Sequence, residues 1–388
     1  MKVAYILPIS WGGIPHYTAE LANAVSKYAD VWVIKPEDSN DELFSDDVKV
    51  INVFKPMYFS RKEPIKVFSL KNLLNFFSFR NIKLIEELKP DIIHFPELYP
   101  QSSIFTVFYK IHRKYPIVCT LHATFKSPLS LLSTKNLIYG ILASVTEFTK
   151  YLIEPDRIIV HASINKDILI KRGIDREKVV VIPHGAYSFF AEKYKETVEI
   201  NEKDNAILLF GFSPETKGAE YLVKAVPNIS KEIPDVKVII AGEGNHTKYF
   251  KYITDWSKFE IYNKFIPNKE VSRLFQRAKI VVLPYPRHGG HSGVLTIAFS
   301  FGKPVVVTNV GDFPNLVTNN NEGIIVPPRD SNALAEAIIK LLKDDRLRKK
   351  MSRNALKKAK ELSWDNIAKM HIKVYEEVLN DWKKRNKD

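Results

Sequence analysis

Residues 279 to 308, KIVVLPYPRHGGHSGVLTIAFSFGKPVVVT, decide how the chain is read. Ile280 to Leu283 and Val305 to Val307 are short β-branched or apolar runs of the kind that form buried parallel strands. Between them Val294, Leu295, Ile297, Ala298 and Phe301 recur at helical spacing, which predicts a helix starting near Ser292. Gly289, Gly290, His291, Ser292 and Gly293 then form the mouth of that helix. A helix N-terminus leaves several backbone N–H groups without an intrahelical acceptor, and the aligned peptide dipoles place about half a positive charge there. At the carboxyl end of a parallel strand, such a mouth is a seat for phosphate. A tight turn with no ligand would use the same glycines.

Outward from this stretch the alternation continues in both directions. Upstream, Ala206 to Phe210 reads as a strand, Gly211 to Gly218 as a loop and Ala219 to Ile229 as an amphipathic helix. Val236 to Ala241 is a strand running into Gly242-Glu243-Gly244, followed by a strand at Phe259 to Tyr262 and a helix at Lys269 to Ala278. Downstream, helices at Ala333 to Lys343, Asp345 to Glu361 and Asn366 to Lys384 follow without strands between them. The N-terminal half opens with the same unit: strand Val3 to Leu7, a loop with Gly12-Gly13 at its tip, a helix from about His16 to Tyr28 and a strand at Val31 to Ile34. That unit lacks the G-x-G-x-x-G spacing and an acidic residue ending the next strand, which disfavours a nicotinamide cofactor. Strands at Asp91 to His94, Ile117 to His122, Arg157 to His161 and Val179 to Ile182 complete the half, and Ala191 to Asp204 reads as the connection. Two βα-alternating halves argue for an α/β protein of two doubly wound domains.

Length and composition agree. A chain of 388 residues exceeds one ordinary core, and two domains of roughly 180 residues are expected. The single cysteine, Cys119, excludes an intramolecular disulfide framework and a cysteine-based zinc site. The start MKVAYILPIS runs from one lysine straight into a strand, unlike a secretory leader, and no run approaches 18 apolar residues; a cytoplasmic protein is expected. The net charge of +14 lies partly on a solvated helix face with Lys349, Lys350, Arg353, Lys357, Lys358 and Lys360. No zinc-finger spacing, RNP-like aromatic pattern or heptad supports nucleic acid as a partner.

Two apolar stretches with basic flanks, Val67 to Leu88 and residues 128 to 153, suit either core helices or peripheral contact with an anionic membrane at the inner membrane face. His94 and His122 both sit at strand ends, where both would project into one crevice; a lone histidine would more often be structural.

The order of Gly12-Gly13, Val181-Ile182-Pro183-His184-Gly185, Lys217-Gly218, Ala241-Gly242-Glu243-Gly244, Leu283-Pro284-Tyr285 and Gly302-Lys303-Pro304 through Gly311 resembles glycosyltransferase family 4. The resemblance covers essentially the whole chain and is strongest from residue 179 to 328. It implies the GT-B architecture, two Rossmann-like domains facing each other across a cleft: an acceptor-binding domain over 1–190, a nucleotide-sugar-binding domain over 191–365, and a last helix over 366–388 packing back toward the first. It also implies a retaining, nucleotide-sugar-dependent transferase using a UDP- or GDP-linked donor, with a glycan or lipid-linked saccharide as acceptor and no further cofactor.

Residue by residue, the resemblance places the donor diphosphate against the amides of Ser292, Gly293 and Val294, with Lys217 neutralising it and Gly12 and Gly13 approaching from the other domain. Phe265 and Ile266 occupy the segment that meets the nucleobase, and His122 matches a histidine near the donor sugar and acceptor. The family signature has two glutamates eight positions apart; Gly289 and Ile297 stand there instead. His288, His291 and Asp312 are the nearest polar candidates for their work, and His291 joins Lys217 and His122 as a catalytic candidate. Phe212 stands where many members carry an arginine. No Asp-x-Asp ends a strand, so metal-independent chemistry is expected, with Lys217 and the helix mouth stabilising the departing diphosphate. A noncatalytic nucleotide-sugar-binding partner and a nucleotide-sugar 2-epimerase of the same fold are the alternatives.

Overall fold

The computed structural model describes residues 1–10, 13–37, 41–54, 79–122, 154–194, 205–287 and 290–386. The expectations placed on Gly12, His288, Gly289, most of the 67–88 stretch, residues 128–153 and most of the 191–204 connection lie outside the described residues. The chain divides into two compact units, one of Met1–Pro183 with Trp364–Asp388 and one of His184–Ser363.

The first unit carries β1 (Lys2–Ile6), α1 (Gly13–Val25), β2 (Asp30–Pro36), β3 (Val48–Phe54), α2 (Phe79–Leu88) and β4 (Ile92–Phe95). It continues with α3 (Pro100–Phe108), α4 (Ile111–Lys114), β5 (Ile117–Leu121), β6 (Arg157–Val160), α5 (Ser163–Lys171) and β7 (Val179–Val181). Its seven strands are all parallel, in the order β3-β2-β1-β4-β5-β6-β7. The second unit carries α6 (Ser188–Lys193), β8 (Ala206–Phe210), α7 (Ala219–Glu232), β9 (Lys237–Ala241), α8 (Thr247–Phe250), β10 (Phe259–Tyr262), α9 (Asn268–Arg277) and β11 (Ile280–Leu283). It ends with α10 (Gly293–Ser300), β12 (Val305–Thr308), α11 (Phe313–Leu316), β13 (Gly323–Val326), α12 (Ser331–Lys343) and α13 (Asp345–Glu361). Its sheet is again wholly parallel, ordered β10-β9-β8-β11-β12-β13. The last helix, α14 (Trp364–Arg385), belongs to the first unit.

Both sheets reverse their winding beside the first strand of the unit, between β1 and β4 and between β8 and β11. Loops leaving the carboxyl ends at such a reversal flare apart and leave a crevice. The loops after β8 and β11 hold Lys217 and the helix mouth, so the order of strands places these two features together before any side chain is considered.

Two strands escape the sequence reading. β3 lies in a polar stretch, and its alternation Val48, Val50, Asn52 is a single face too short to stand out. β13, GIIV, sits between turn residues and owes its place to pairing with β12. α1 starts three residues before the expected His16, because Gly13-Ile14-Pro15 already forms its first turn, where proline needs no N–H partner. Among the described residues no helix is long and apolar enough to cross a membrane.

Candidate active site

In the second unit, α10 begins at Gly293 with Ser292 as an extended N-cap residue whose side chain caps none of the helix amides. The Ser292 hydroxyl turns instead to the Tyr285 hydroxyl at 3.3 Å. Leu295 N–H returns to the Ser292 carbonyl, leaving the amides of Gly293 and Val294 with no intrahelical acceptor. The Lys217 ammonium lies over the Tyr285 ring, 4.4 Å from its centroid. A Cβ built on Gly211 would stand 3.5 Å from Val294 Cγ2 and 3.7 Å from Lys217 Cε, so the lysine stem and the first turn of α10 flank the same glycine. Lys217, Ser292, Gly293 and Val294 are thereby brought together at the β8/β11 reversal.

Gly218 makes this approach feasible. It has φ +85°, and a Cβ there would fall 1.9 Å from the Pro284 carbonyl oxygen, so only glycine lets the loop carrying Lys217 lie against the loop after β11.

His291 is partly buried and stacks on His184, with centroids 4.4 Å apart and planes 8° apart. His184 Nδ1 donates to the Gly185 carbonyl at 2.7 Å, so its Nε2 is the acceptor that faces the Tyr187 hydroxyl at 3.4 Å. Tyr187 also borders the mouth, 3.3 Å from a Cβ built on Gly293. His184, Tyr187 and Tyr285, which border Lys217 and the mouth, have no role in the sequence reading. His184 and Tyr285 lay in quoted motifs without a role, while Tyr187 carried no signal beyond its closeness to the strand break.

Asp312 follows β12 and is 3% exposed. Burial lifts its carboxyl to about 6, opposed by a hydrogen bond from Asn315. The two positions of the family's glutamates differ: Ile297 is buried and apolar within α10, and Gly289 lies outside the described residues. Phe265 and Ile266 follow the edge strand β10, two strands from the reversal; Phe265 is 74% exposed and Ile266 is buried.

In the first unit, Gly13 is the exposed first residue of α1, with open space where a Cβ would be. His122 follows β5, and its Nε2 donates to the Pro96 carbonyl at 3.0 Å while its backbone N–H donates to Glu97 Oε2 at 3.2 Å. The Tyr17 ring meets it edge-on at 4.5 Å. His94 departs from the expectation of a crevice-facing partner. It is fully buried within β4, with Nδ1 2.6 Å from the Tyr375 hydroxyl and Nε2 2.9 Å from Thr120 Oγ1, a satisfied core histidine.

Against this geometry, the glycosyl transferases group 1 profile matches residues 190–358 and the glycosyltransferase family 4 profile matches residues 11–186. The chain is a group 1 glycosyltransferase with a family 4 N-terminal half. An uncharacterized glycosyltransferase of Methanocaldococcus jannaschii is 26% identical to this transferase over 381 residues, 95% of each chain. A second from the same organism is 28% identical over 232 residues, which is 56% of this transferase and 59% of that protein's length. The phosphatidyl-myo-inositol mannosyltransferase of Mycolicibacterium smegmatis is 24% identical over 297 residues, 76% of this chain and 73% of its own.

Among solved structures, the sucrose-phosphate synthase of Thermosynechococcus elongatus superposes with a TM-score of 0.73 at 17% identity, covering 98% of this transferase and 100% of that chain. Anabaena HepE in complex with UDP-glucose superposes at 0.68 and 17% identity, covering 97% and 100%. The transferase has the GT-B fold of two parallel-sheet α/β domains.

Proposed function

We propose that the transferase moves a hexosyl group from a UDP- or GDP-linked sugar to a saccharide or lipid-linked acceptor, with retention of anomeric configuration and without a metal ion. The observation that carries this reading is the convergence of Lys217 with the uncapped start of α10 at the β8/β11 reversal. Breaking the bond between the anomeric carbon and the phosphate oxygen sends an electron pair onto the diphosphate. Oriented amides and one ammonium group are what that developing charge needs. The acceptor hydroxyl forms the new bond to the anomeric carbon, and its proton passes to the departing phosphate.

Relatives support the substrate classes by name: one is a phosphatidyl-myo-inositol mannosyltransferase, another an N-acetylgalactosaminyltransferase acting on an undecaprenol-linked saccharide, and the fold neighbour HepE holds UDP-glucose. Phe265-Ile266 in this reading contacts the nucleobase and His291 assists at the mouth. Anionic bilayers are the proposed location of a lipid-linked acceptor.

The test is a thermal-shift screen of UDP, GDP and ADP sugars, followed by transfer assays with and without EDTA and NMR of the product anomer. A ligand held at a hundred times its dissociation constant adds about 2.7 kcal/mol of stability, which the screen resolves. Stabilisation by one donor class and EDTA-insensitive transfer to an α-linked product from an α-linked donor are expected. Stabilisation by none of them, or transfer abolished by EDTA, sinks the reading.

A further inference from the structure

The loop after β9, Ala241-Gly242-Glu243-Gly244, lies between the loop that carries Lys217 and the loop after β10, and its peptide groups bond to both. In the peptide between Ala241 and Gly242, the carbonyl accepts from Gly211 N–H at 2.9 Å and the N–H donates to the Tyr262 carbonyl at 3.0 Å. In the peptide between Glu243 and Gly244, the carbonyl accepts from Ser213 N–H at 2.8 Å and the N–H donates to Asn263 Oδ1 at 3.1 Å. The carbonyl of the middle peptide, that of Gly242, is held by a side chain instead: His246 Nε2 donates to it at 2.8 Å. A ring nitrogen facing a carbonyl carries the proton, so in the neutral imidazole Nδ1 is the acceptor for the Tyr249 hydroxyl. His246 and Tyr249 are both buried, and burial, with the Glu215 carboxylate nearby, raises the phenol above its usual range, so it stays a donor.

Glycine at 242 is what makes this brace necessary. With φ +145° and no Cβ, it lets the peptide that follows turn over at little cost. A Cβ there would overlap the Gly211 carbonyl oxygen, so Gly242 lies flat on Gly211, the glycine that the Lys217 stem and Val294 flank. Ser213 holds a φ of +55°, a left-handed value that favours glycine, while its N–H is bonded to the Glu243 carbonyl. From Ser213 the turn runs directly to the cation: Thr216 N–H donates to the Ser213 carbonyl at 2.8 Å and Lys217 N–H to that of Pro214 at 3.0 Å. Resting on the donor reading above, we propose that His246 is a positioning residue for transfer: by fixing the Gly242–Glu243 peptide it sets the turn that presents Lys217 to the start of α10. It acts through Lys217 and touches no substrate.

A residue that acts through Lys217 has no effect left to exert once Lys217 is gone, whereas a general structural role adds its loss to any other. The measurement is release of nucleoside diphosphate from UDP-glucose and from GDP-mannose by the full-length protein at saturating donor, with water as acceptor. His246→Leu is expected to slow release about tenfold, and His246→Gln, which keeps an N–H donor near the Nε2 position, to stay within about threefold of the parent. In the Lys217→Ala background His246→Leu is expected to change the rate by less than about twofold. Multiplied losses in the double variant, or a glutamine variant as slow as the leucine one, overturn the proposal while Lys217 keeps its place. If the parent releases neither nucleotide, or Lys217→Ala turns over like the parent, the donor reading fails and the role of His246 with it. Should His246→Leu not fold, Tyr249→Phe leaves the imidazole in place and removes the donor that fixes its tautomer. A several-fold loss that vanishes in the Lys217→Ala background is then expected; an unchanged rate, or a loss that persists in that background, overturns the proposal.

Discussion

The two units share a parallel, doubly wound sheet and differ in what they bury against it. In the second unit the strands and covering helices meet through Ile207, Leu209, Val238, Ile240, Val282 and Val306 on one side, and Leu222, Val226, Ile338 and Leu341 on the other, all apolar. In the first unit only one face is like that, with Ala4, Ile6, Ile93, Phe95, Cys119 and Leu121 in a common cluster. Side chains alternate along a strand, so Tyr5, His94 and Thr120 share the other face. Tyr5 and His94 are register partners. Onto that face α1 and α14 bring Tyr17, His371 and Tyr375. Tyr375 bonds both Tyr5, at 3.0 Å, and His94, while the Tyr17 hydroxyl lies 3.4 Å from His371 Nε2. The lesson is that one fold tolerates either a non-directional interior or a directional polar one, and the choice sets how each unit responds to protons. The contacts among those apolar side chains of the second unit carry no titratable group; the first unit holds imidazoles that must stay neutral.

The largest expected effect breaks the symmetry with acid. Burial lowers His161 and His371 to about 4 and holds His94 well below the usual imidazole range. A base with a depressed folded pKa contributes stability that is present above its unfolded value of about 6.5 and is lost as pH falls toward the folded value. At pH 5 the loss is about 2 kcal/mol for each of His161 and His371. Hydrogen exchange between pH 7 and pH 5, corrected for intrinsic rates, should show protection falling in β4, β5, β6 and α14 and holding in β8 to β12. Equal loss in both units would show that the buried imidazoles do not set the difference.

Next in size is a change confined to chemistry in the second unit. Lys217→Ala is expected to raise the transfer barrier by about 3 kcal/mol, a rate loss on the order of 10²-fold, with exchange protection unchanged. Near-normal turnover with the correct donor would remove Lys217 from the site. Tyr375→Phe strips the polar interior of one hydroxyl and leaves His94 Nδ1 without that partner, at a cost of about 1–3 kcal/mol. Chemical denaturation followed by exchange should locate the loss in the first unit; a neutral result would mean that α14 is held by its apolar contacts alone. The smallest effect is local to the second unit. Asp330 caps α12 by accepting from the amides of Asn332 and Ala333, and Asp330→Ala should cost about 1 kcal/mol, read as faster exchange in the first turn of α12.

The asymmetry between the units also explains what could be read from the chain. Strand β11, helix α10 and strand β12 were legible because apolar spacing reports on nearest neighbours along the chain, and the glycines before α10 mark where its free amides must emerge. β3 and β13 were missed because both are short and depend on strand partners far away in sequence. His94 looked like a crevice residue because its position near a strand end is a local fact, whereas its true environment comes from Tyr375, 281 residues away.

By itself the sequence determined the α/β class, the repeated winding and the glycine-led start of α10, since these follow from periodicities of two and 3.6 and from glycine punctuation. Only the tertiary structure decided which polar side chains meet. It set Lys217 over Tyr285, His291 on His184, Asp312 beside Gly290, and a helix from the far end of the chain against His94. The physical reason is range: hydrogen bonds and ring contacts act over a few ångströms in space, and no local pattern records which distant residue will supply the partner.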